Sequence, residues 1–192
     1  MVQSKKYNDI IAATQKLFYK YEFRKVTVED ICKEANVSKM TFYKFFPNKL
    51  EAAKTMIDKI FGKAMDDFDA MMESDISFAE KMRQIVIMKV ERSKDAGMVI
   101  FQNLYTNAEP EIENHIQYWV DFGLDLTKKH FAKAQQNGDM RSDISIDMIM
   151  IAMDKMQNIA KDERIPEIYD NAFDFAMELS KLFLYGITNE EE

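Results

Sequence analysis

The sequence contains little glycine, proline or cysteine. Five glycines and three prolines among 192 residues are too few for the many turns of an all-β protein. The single cysteine, Cys32, excludes an intrachain disulfide and a cysteine-based metal cluster, so a buried thiol is its simplest interpretation. The composition therefore favours a protein built from long helices.

Long apolar runs are also missing. The run from Met148 to Met153 is far shorter than the roughly 18 apolar residues that cross a bilayer. The first residues are charged, unlike the apolar centre of a secretory signal peptide. We therefore expect a cytoplasmic protein without a membrane segment.

The usual sequence patterns of enzymes are absent as well. The chain has no glycine-rich phosphate loop and no serine with an evident histidine partner. His115 and His130 have no metal-binding residue three or four positions later, which argues against a metal site. We expect a protein that is not an enzyme and needs no cofactor. A structural or adaptor helical bundle remains an alternative.

Positive charge is concentrated at one end of an acidic chain. The net charge is −7, yet residues 1–54 contain 11 Lys or Arg against 6 Asp or Glu. The remaining residues therefore carry a net charge of −12. Because a phosphate backbone attracts the first part and repels the second, this division favours a molecule that places its N-terminal part on DNA.

Apolar residues recur every three or four positions along most of the chain, which is the spacing of amphipathic helices. Thr27 with Asp30 three residues later is a helix start signal, and Ser38 is a second one. Asn36 between them tolerates the left-handed backbone of a tight turn. The pattern predicts helices at about 5–21, 27–35, 39–46, 48–72, 77–93, 97–107, 111–137, 144–160 and 166–186.

Two short helices joined by a tight turn are typical of a helix-turn-helix, whose second helix enters the major groove of DNA. Val37, Phe42 and Phe46 are expected to pack the core beneath that helix. The opposite face offers hydroxyls, a phenol and lysines, which suit phosphates and base edges, although each lysine could instead be merely solvated. The candidate DNA-binding residues of this helix and its cap are Ser38, Lys39, Met40, Thr41, Tyr43 and Lys44. Thr27 and Lys49 are further candidates, because they lie at helix starts, where backbone N–H groups favour a phosphate.

The stretch from Thr27 to Lys49 resembles the helix-turn-helix of the tetracycline-repressor (TetR) family. It differs from the usual family pattern at Cys32, Asn36, Met40 and Phe45. The residues that match the pattern are Thr27, Ile31, Ala35, Val37, Ser38, Phe42, Tyr43, Phe46 and Lys49.

The resemblance implies an all-α protein of about nine helices in two domains. Residues 1–50 would form a three-helix DNA-binding domain with its helix-turn-helix at about 27–46. Residues 51–192 would bind an effector and form a homodimer through the last two helices, about 144–160 and 166–186. It further implies a repressor that binds a pseudo-palindromic operator and is released by a small molecule. Activation, or a protein effector, remains open.

Aromatic residues on two successive predicted helices could line the effector pocket, where adaptable methionines would also fit. Ordinary core packing is the alternative for each of them, and a hydrogen bond from His115 to the effector is a further possibility. The candidate pocket residues are Met98, Phe101, Tyr105, His115, Tyr118, Trp119 and Phe122.

Overall fold

The structure is a computed structural model, and it describes residues 4–92, 109–159, 164–170 and 172–187. These residues form helices and no β-strand, which confirms the all-α prediction. None of the helices described is both long and apolar enough to cross a membrane. We number the helices α1 (Lys5–Lys20), α2 (Val28–Glu34), α3 (Lys39–Phe45), α4 (Lys49–Met72), α5 (Phe78–Arg92), α6 (Pro110–Asn137), α7 (Ile146–Ile159), α8 (Ile165–Ile168) and α9 (Ala172–Ile187).

The described residues divide into two compact units. The first unit contains residues 4–65 and 109–121, and the second contains residues 66–92 and 122–187 apart from the gaps given above. Helices α4 and α6 each contribute residues to both units. The boundary predicted at residue 50 lies inside the first unit, and the division into a DNA-binding and an effector domain stays a prediction.

The first unit is organised around α1, α2 and α3. Ser4 caps the start of α1, and Tyr21, whose backbone is extended, follows its last residue. The core between the helices is apolar and includes residues from the start of α4 and of α6. Its largest fully buried side chains are Ile10, Phe18, Phe23, Ile31, Phe42, Met56, Ile57, Ile112 and Ile116.

The turn between α2 and α3 forms as the local residues predict. Thr27 caps α2 and exchanges hydrogen bonds with Asp30 in a capping box, and Ser38 caps α3. Between the helices Asn36 has a φ of 52°, the left-handed conformation expected of it. The amide of Val37 then donates to the carbonyl of Cys32 at 2.9 Å, which closes the turn. Cys32 is buried, as predicted.

The second unit has a separate apolar core. Phe131 and Met140 are fully buried there, and α5 packs against α9. The loop after α6 is fixed by Arg141, whose amide donates to the carbonyl of Ile187 at 2.9 Å. The other buried members of this core are Met72, Phe78, Met82, Ile85, Ala134, Ile149 and Ile187.

One predicted helix is divided in the structure. The helix expected over 166–186 is replaced by the short α8 and the longer α9. Pro166 lies in the first turn of α8, and Tyr169 ends α8 in an extended conformation with φ −123° and ψ 127°. The polar Asp170 that follows belongs to a residue type that favours helix caps over helix interiors. The predicted helix at 97–107 lies outside the described residues.

Candidate nucleic-acid interface

Helix α3 turns one face to the core and the other to solvent. Phe42 is completely buried, and Phe46 just after the helix is nearly so, which confirms their predicted core role. Met40 and Tyr43 are 82% and 54% exposed, and the neighbouring Lys44 is also exposed. The same seven-residue helix is therefore anchored by phenylalanines and presents an apolar, a phenolic and a basic side chain outward.

The start of α3 is held by hydroxyl groups. The amide of Thr41 donates to Ser38 Oγ at 3.1 Å, and the two hydroxyl oxygens are 3.0 Å apart. Ser38 is exposed and Thr41 is half-buried. Because a hydroxyl both donates and accepts, Ser38 can cap the helix and still donate to a phosphate oxygen.

Lys39 is engaged by a carboxylate of the preceding helix. Its ammonium donates to the Glu29 carboxylate, and both side chains are exposed. This hydrogen bond lowers the pKa of the Glu29 carboxyl and raises the pKa of the Lys39 ammonium. A phosphate that recruits Lys39 must therefore compete with Glu29.

Thr27 is occupied by the capping box at the start of α2. Its hydroxyl donates to Asp30 Oδ2 at 2.7 Å, and its amide donates to the same oxygen at 2.9 Å. These hydrogen bonds lower the pKa of the Asp30 carboxyl. Thr27 is exposed, so it contributes to helix geometry and remains accessible to a phosphate group.

Lys49, at the start of α4, is turned inward. Its ammonium donates to the carbonyl of Phe23 at 2.8 Å and to that of Val26 at 2.7 Å. It also lies 4.3 Å from the centroid of the Phe23 ring. Burial lowers the pKa of the Lys49 ammonium, and nearby Glu109 opposes that shift. The structure thus gives Lys49 a bracing role, which the sequence pattern did not indicate.

A groove beside α3 adds a residue that the sequence reasoning missed. Lys6 of α1 is exposed and lines this groove of about 740 Å³ together with Met40, Thr41, Tyr43, Lys44 and Phe45. The adjacent Tyr7 packs against Phe45 and Phe46, with ring centroids 5.9 and 5.2 Å away. Tyr7 thereby fixes the start of α1 next to α3. The paired lysines at positions 5 and 6, at the start of the predicted helix 5–21, were the sequence signal that could have indicated Lys6.

The candidate pocket residues are dispersed. His115 Nε2 lies 2.6 Å from Asp58 Oδ1, and Trp119 donates to the same oxygen at 2.9 Å. Trp119 also stacks on Phe61 and contacts Tyr118, which is exposed. Phe122 is exposed and belongs to the second unit. Met98, Phe101 and Tyr105 lie outside the described residues.

The second histidine has carboxylate neighbours. His130 is buried, and its Nε2 lies 2.7 Å from Asp69 Oδ1 while its Nδ1 lies 3.8 Å from Glu73 Oε1. Lys133 donates to both oxygens of the Glu73 carboxylate, at 2.9 Å to Oε1 and 2.7 Å to Oε2. Within the described part of the chain, no group of three or more His, Cys, Asp or Glu is arranged to hold a metal ion.

Comparison with known proteins identifies the N-terminal segment. Residues 10–52 match the model of the bacterial regulatory proteins of the tetR family. The transcriptional regulator EthR of Mycolicibacterium smegmatis is 35% identical over 65 residues, which are 34% of this chain and 30% of EthR. The chain therefore spans less than a third of this relative's length.

Solved structures share the fold along nearly the whole chain. The fatty acid degradation regulator FadR of Bacillus halodurans has a TM-score of 0.75 at 20% identity, covering 97% of this chain and 98% of FadR. FadR of Bacillus subtilis, solved in complex with stearoyl-CoA, has a TM-score of 0.75 at 14% identity. The likeness covers 94% of this chain and 98% of that FadR. Residues 10–52, which include the helix-turn-helix, therefore match the DNA-binding segment of the tetR family of bacterial regulatory proteins, and these likenesses show that the chain shares the fold of the solved regulators.

Proposed function

We propose that this protein is a repressor that binds a pseudo-palindromic operator as a homodimer and is released by a small-molecule effector. The observation that carries the DNA-binding part is the outward face of α3. Met40, Tyr43 and Lys44 are exposed on a helix whose other face is fixed by Phe42. Rigid presentation of such a face is what a recognition helix requires in the major groove.

Charge supports this orientation on DNA. The positive net charge of residues 1–54 lies on the segment that forms α1, α2, α3 and the start of α4. Lys6 and Lys44 line the groove at α3, where they can approach the phosphates that border a base-reading helix. Residues 55–192 are acidic and repel the phosphates, which disfavours non-specific contact of DNA with that part of the molecule.

Exposed apolar side chains in the second unit support a homodimer. Met148 and Ile151 lie three residues apart on α7, so they share a helix face, and both are more than half exposed. Leu182 on α9 is 73% exposed. Exposed apolar side chains on helix faces suit an interaction site, and a second copy of the same two helices would cover them. These helices are the ones proposed for the dimer from the sequence.

The proposed effector response uses the link between α4 and α6 within the first unit. Asp58 of α4 is held by His115 and Trp119 of α6, while Met56 and Ile57 of α4 belong to the core beneath α3. A ligand that competes for His115 or Trp119 would bias the position of α4 and, through it, of α3. The extent of release is set by the ligand's differential affinity for the two states.

The similar structure of Bacillus subtilis FadR was solved with stearoyl-CoA. Its low identity to this chain supports only the statement that this fold can accommodate a ligand of that size. We therefore propose a small-molecule effector for this chain and leave its chemical class open. The proposed contact residues are Met98, Phe101, Tyr105, His115, Tyr118, Trp119 and Phe122.

Selection from randomised duplex DNA at two salt concentrations tests the proposal. We expect an inverted repeat to be enriched and its affinity to fall as salt rises, because bound lysines displace counterions from the phosphates. No enrichment at either concentration would contradict DNA binding and favour a structural or adaptor role. Enrichment of a single half-site would support DNA binding and contradict the dimer.

A further inference from the structure

Met40 is an unusual side chain for its position. It is 82% exposed, more than any other large apolar side chain in the part of the chain that the structure describes. It is the second residue of α3, directly after Lys39 and the cap Ser38. In helix-turn-helix proteins the first residues of the recognition helix are the ones that contact base edges. An apolar side chain thus occupies a base-reading position.

The surroundings of Met40 are polar and basic. The groove that it lines also contains Lys6, Thr41, Tyr43 and Lys44. An apolar group that shares a groove with two lysines fits a surface whose rim is anionic and whose centre is apolar. The major groove is such a surface wherever a pyrimidine carries a methyl group at C5, because phosphates border the groove and the methyl projects into it.

Other base contacts suit Met40 poorly. A thioether donates no hydrogen bond and accepts only weakly, so it cannot read the acceptor pair of guanine or the donor of cytosine. The neighbouring donor Lys39 is paired with Glu29. The flexible and polarisable methionine side chain is well suited to packing against a methyl group.

We infer that Met40 recognises the C5-methyl group of a pyrimidine, so each half-site holds a thymine or a 5-methylcytosine opposite this residue. The inference rests on the proposed DNA-binding function and deepens it by naming the chemical group that is read. A protein partner seated on Met40 is the competing explanation, and the test separates the two.

The test uses the duplex enriched by the wild-type protein, with each thymine replaced in turn by uracil. Uracil keeps the base pair and removes only the methyl group. At one position per half-site, the substitution should weaken wild-type binding by about fourfold, the value expected for one buried methyl group. Met40→Ala should bind more weakly than wild type and no longer distinguish thymine from uracil there.

A second arm places cytosine or 5-methylcytosine, each paired with guanine, at the same position. The wild type should prefer the methylated base by a similar factor, and Met40→Ala should show no preference. A uracil effect without a 5-methylcytosine effect would contradict methyl recognition, because DNA shape would then explain it. A preference for 5-methylcytosine larger than that for thymine would identify methylated DNA as the favoured target and support the inference.

Ile76→Ala is the matched control, since Ile76 is also an exposed apolar residue but lies in the turn between α4 and α5. Ile76→Ala should keep the wild-type preference for thymine over uracil and for 5-methylcytosine over cytosine. The inference is wrong if no thymine is sensitive to uracil, or if Met40→Ala retains the wild-type sensitivity. It is also wrong if Met40→Ala changes self-association instead of base preference. Failure of the wild type to enrich any DNA contradicts the proposed function itself, and the inference with it.

Discussion

Lys49 Nζ lies 4.3 Å from the centre of the Phe23 ring and donates to the Phe23 carbonyl at 2.8 Å. A second hydrogen bond joins it to the carbonyl of Val26. One ammonium at the start of α4 therefore ties down the chain segment between α1 and α2. The sequence pattern placed Lys49 among the DNA contacts, but its geometry makes it first of all a structural brace.

Replacing Lys49 with methionine should lower the stability of the protein. The two carbonyl groups would lose their donor, and leaving such groups unsatisfied costs about 1–3 kcal/mol in the free energy of unfolding. Denaturant unfolding measures this difference. Lys44→Met is the control, because Lys44 is exposed on α3, and it should unfold like the wild type. Equal unfolding midpoints for Lys49→Met and the wild type would contradict the bracing role.

Replacing Glu29 with glutamine should strengthen DNA binding. The change removes a carboxylate near the proposed phosphate contacts and releases Lys39 from its ion pair. The dependence of affinity on salt should steepen by about one counterion per half-site. Binding to the enriched duplex at several salt concentrations measures both effects.

Glu34→Gln is the matched control for this change. Glu34 forms a similar exposed ion pair on the same helix, but its partner is Lys16 of α1. We expect a smaller gain in affinity from Glu34→Gln. Weaker DNA binding by Glu29→Gln would show that the ion pair positions α3 rather than competing with DNA.

Replacing Leu182 with glutamate should separate the proposed dimer. Leu182 is 73% exposed on α9, and a charge on a buried apolar interface would be left without a partner. Sedimentation at several protein concentrations should show a dimer for the wild type and a monomer for the variant. Ile76→Glu carries the same charge at an exposed site outside the proposed interface and should remain a dimer. A monomeric wild type would contradict the interface.

Replacing Asp58 with asparagine should perturb Trp119, which is the single tryptophan of the chain. The indole and His115 share one carboxylate oxygen of Asp58, and hydrogen bonds to a charged group contribute about 1.5–3 kcal/mol. Tryptophan emission should shift, and the unfolding midpoint should fall. Asp66 is exposed on the same helix, so Asp66→Asn should leave the tryptophan emission and the unfolding midpoint unchanged. Unaltered emission in Asp58→Asn would contradict this link between α4 and α6.

Local signals in the sequence predicted much of the first unit. Thr27, Asn36 and Ser38 act through neighbours within four residues, so their caps and turn can be recognised without knowing the fold. Phe42 and Phe46 follow from helical periodicity in the same way. The contacts that sequence reasoning missed join distant residues. Lys49 meets Phe23 across 26 positions, and Lys6 reaches the groove at α3 only because α1 packs beside it.

The second unit was less predictable for a related reason. Apolar spacing continues from 166 to 186, so periodicity alone did not reveal the interruption at Tyr169. The eight proposed DNA contacts and the effector residues remain predictions, since they concern molecules that bind to the chain. The structure adds that Met40, Tyr43 and Lys44 share one exposed face of α3. Lys39 instead donates a hydrogen bond to Glu29, and Lys49 donates one to the carbonyl of Phe23.

Two tyrosines of similar exposure show whether the exposed face of α3 reads DNA. Tyr43 on α3 is 54% exposed, and Tyr21 at the end of α1 is 50% exposed. On the enriched duplex, Tyr43→Ala should bind at least about fivefold more weakly than the wild type, since a direct contact contributes roughly 1–3 kcal/mol. Tyr21→Ala should bind normally, and both variants should keep the wild-type unfolding midpoint. Normal DNA binding by Tyr43→Ala, or an equal loss of affinity in both variants, would contradict DNA recognition by the exposed face of α3.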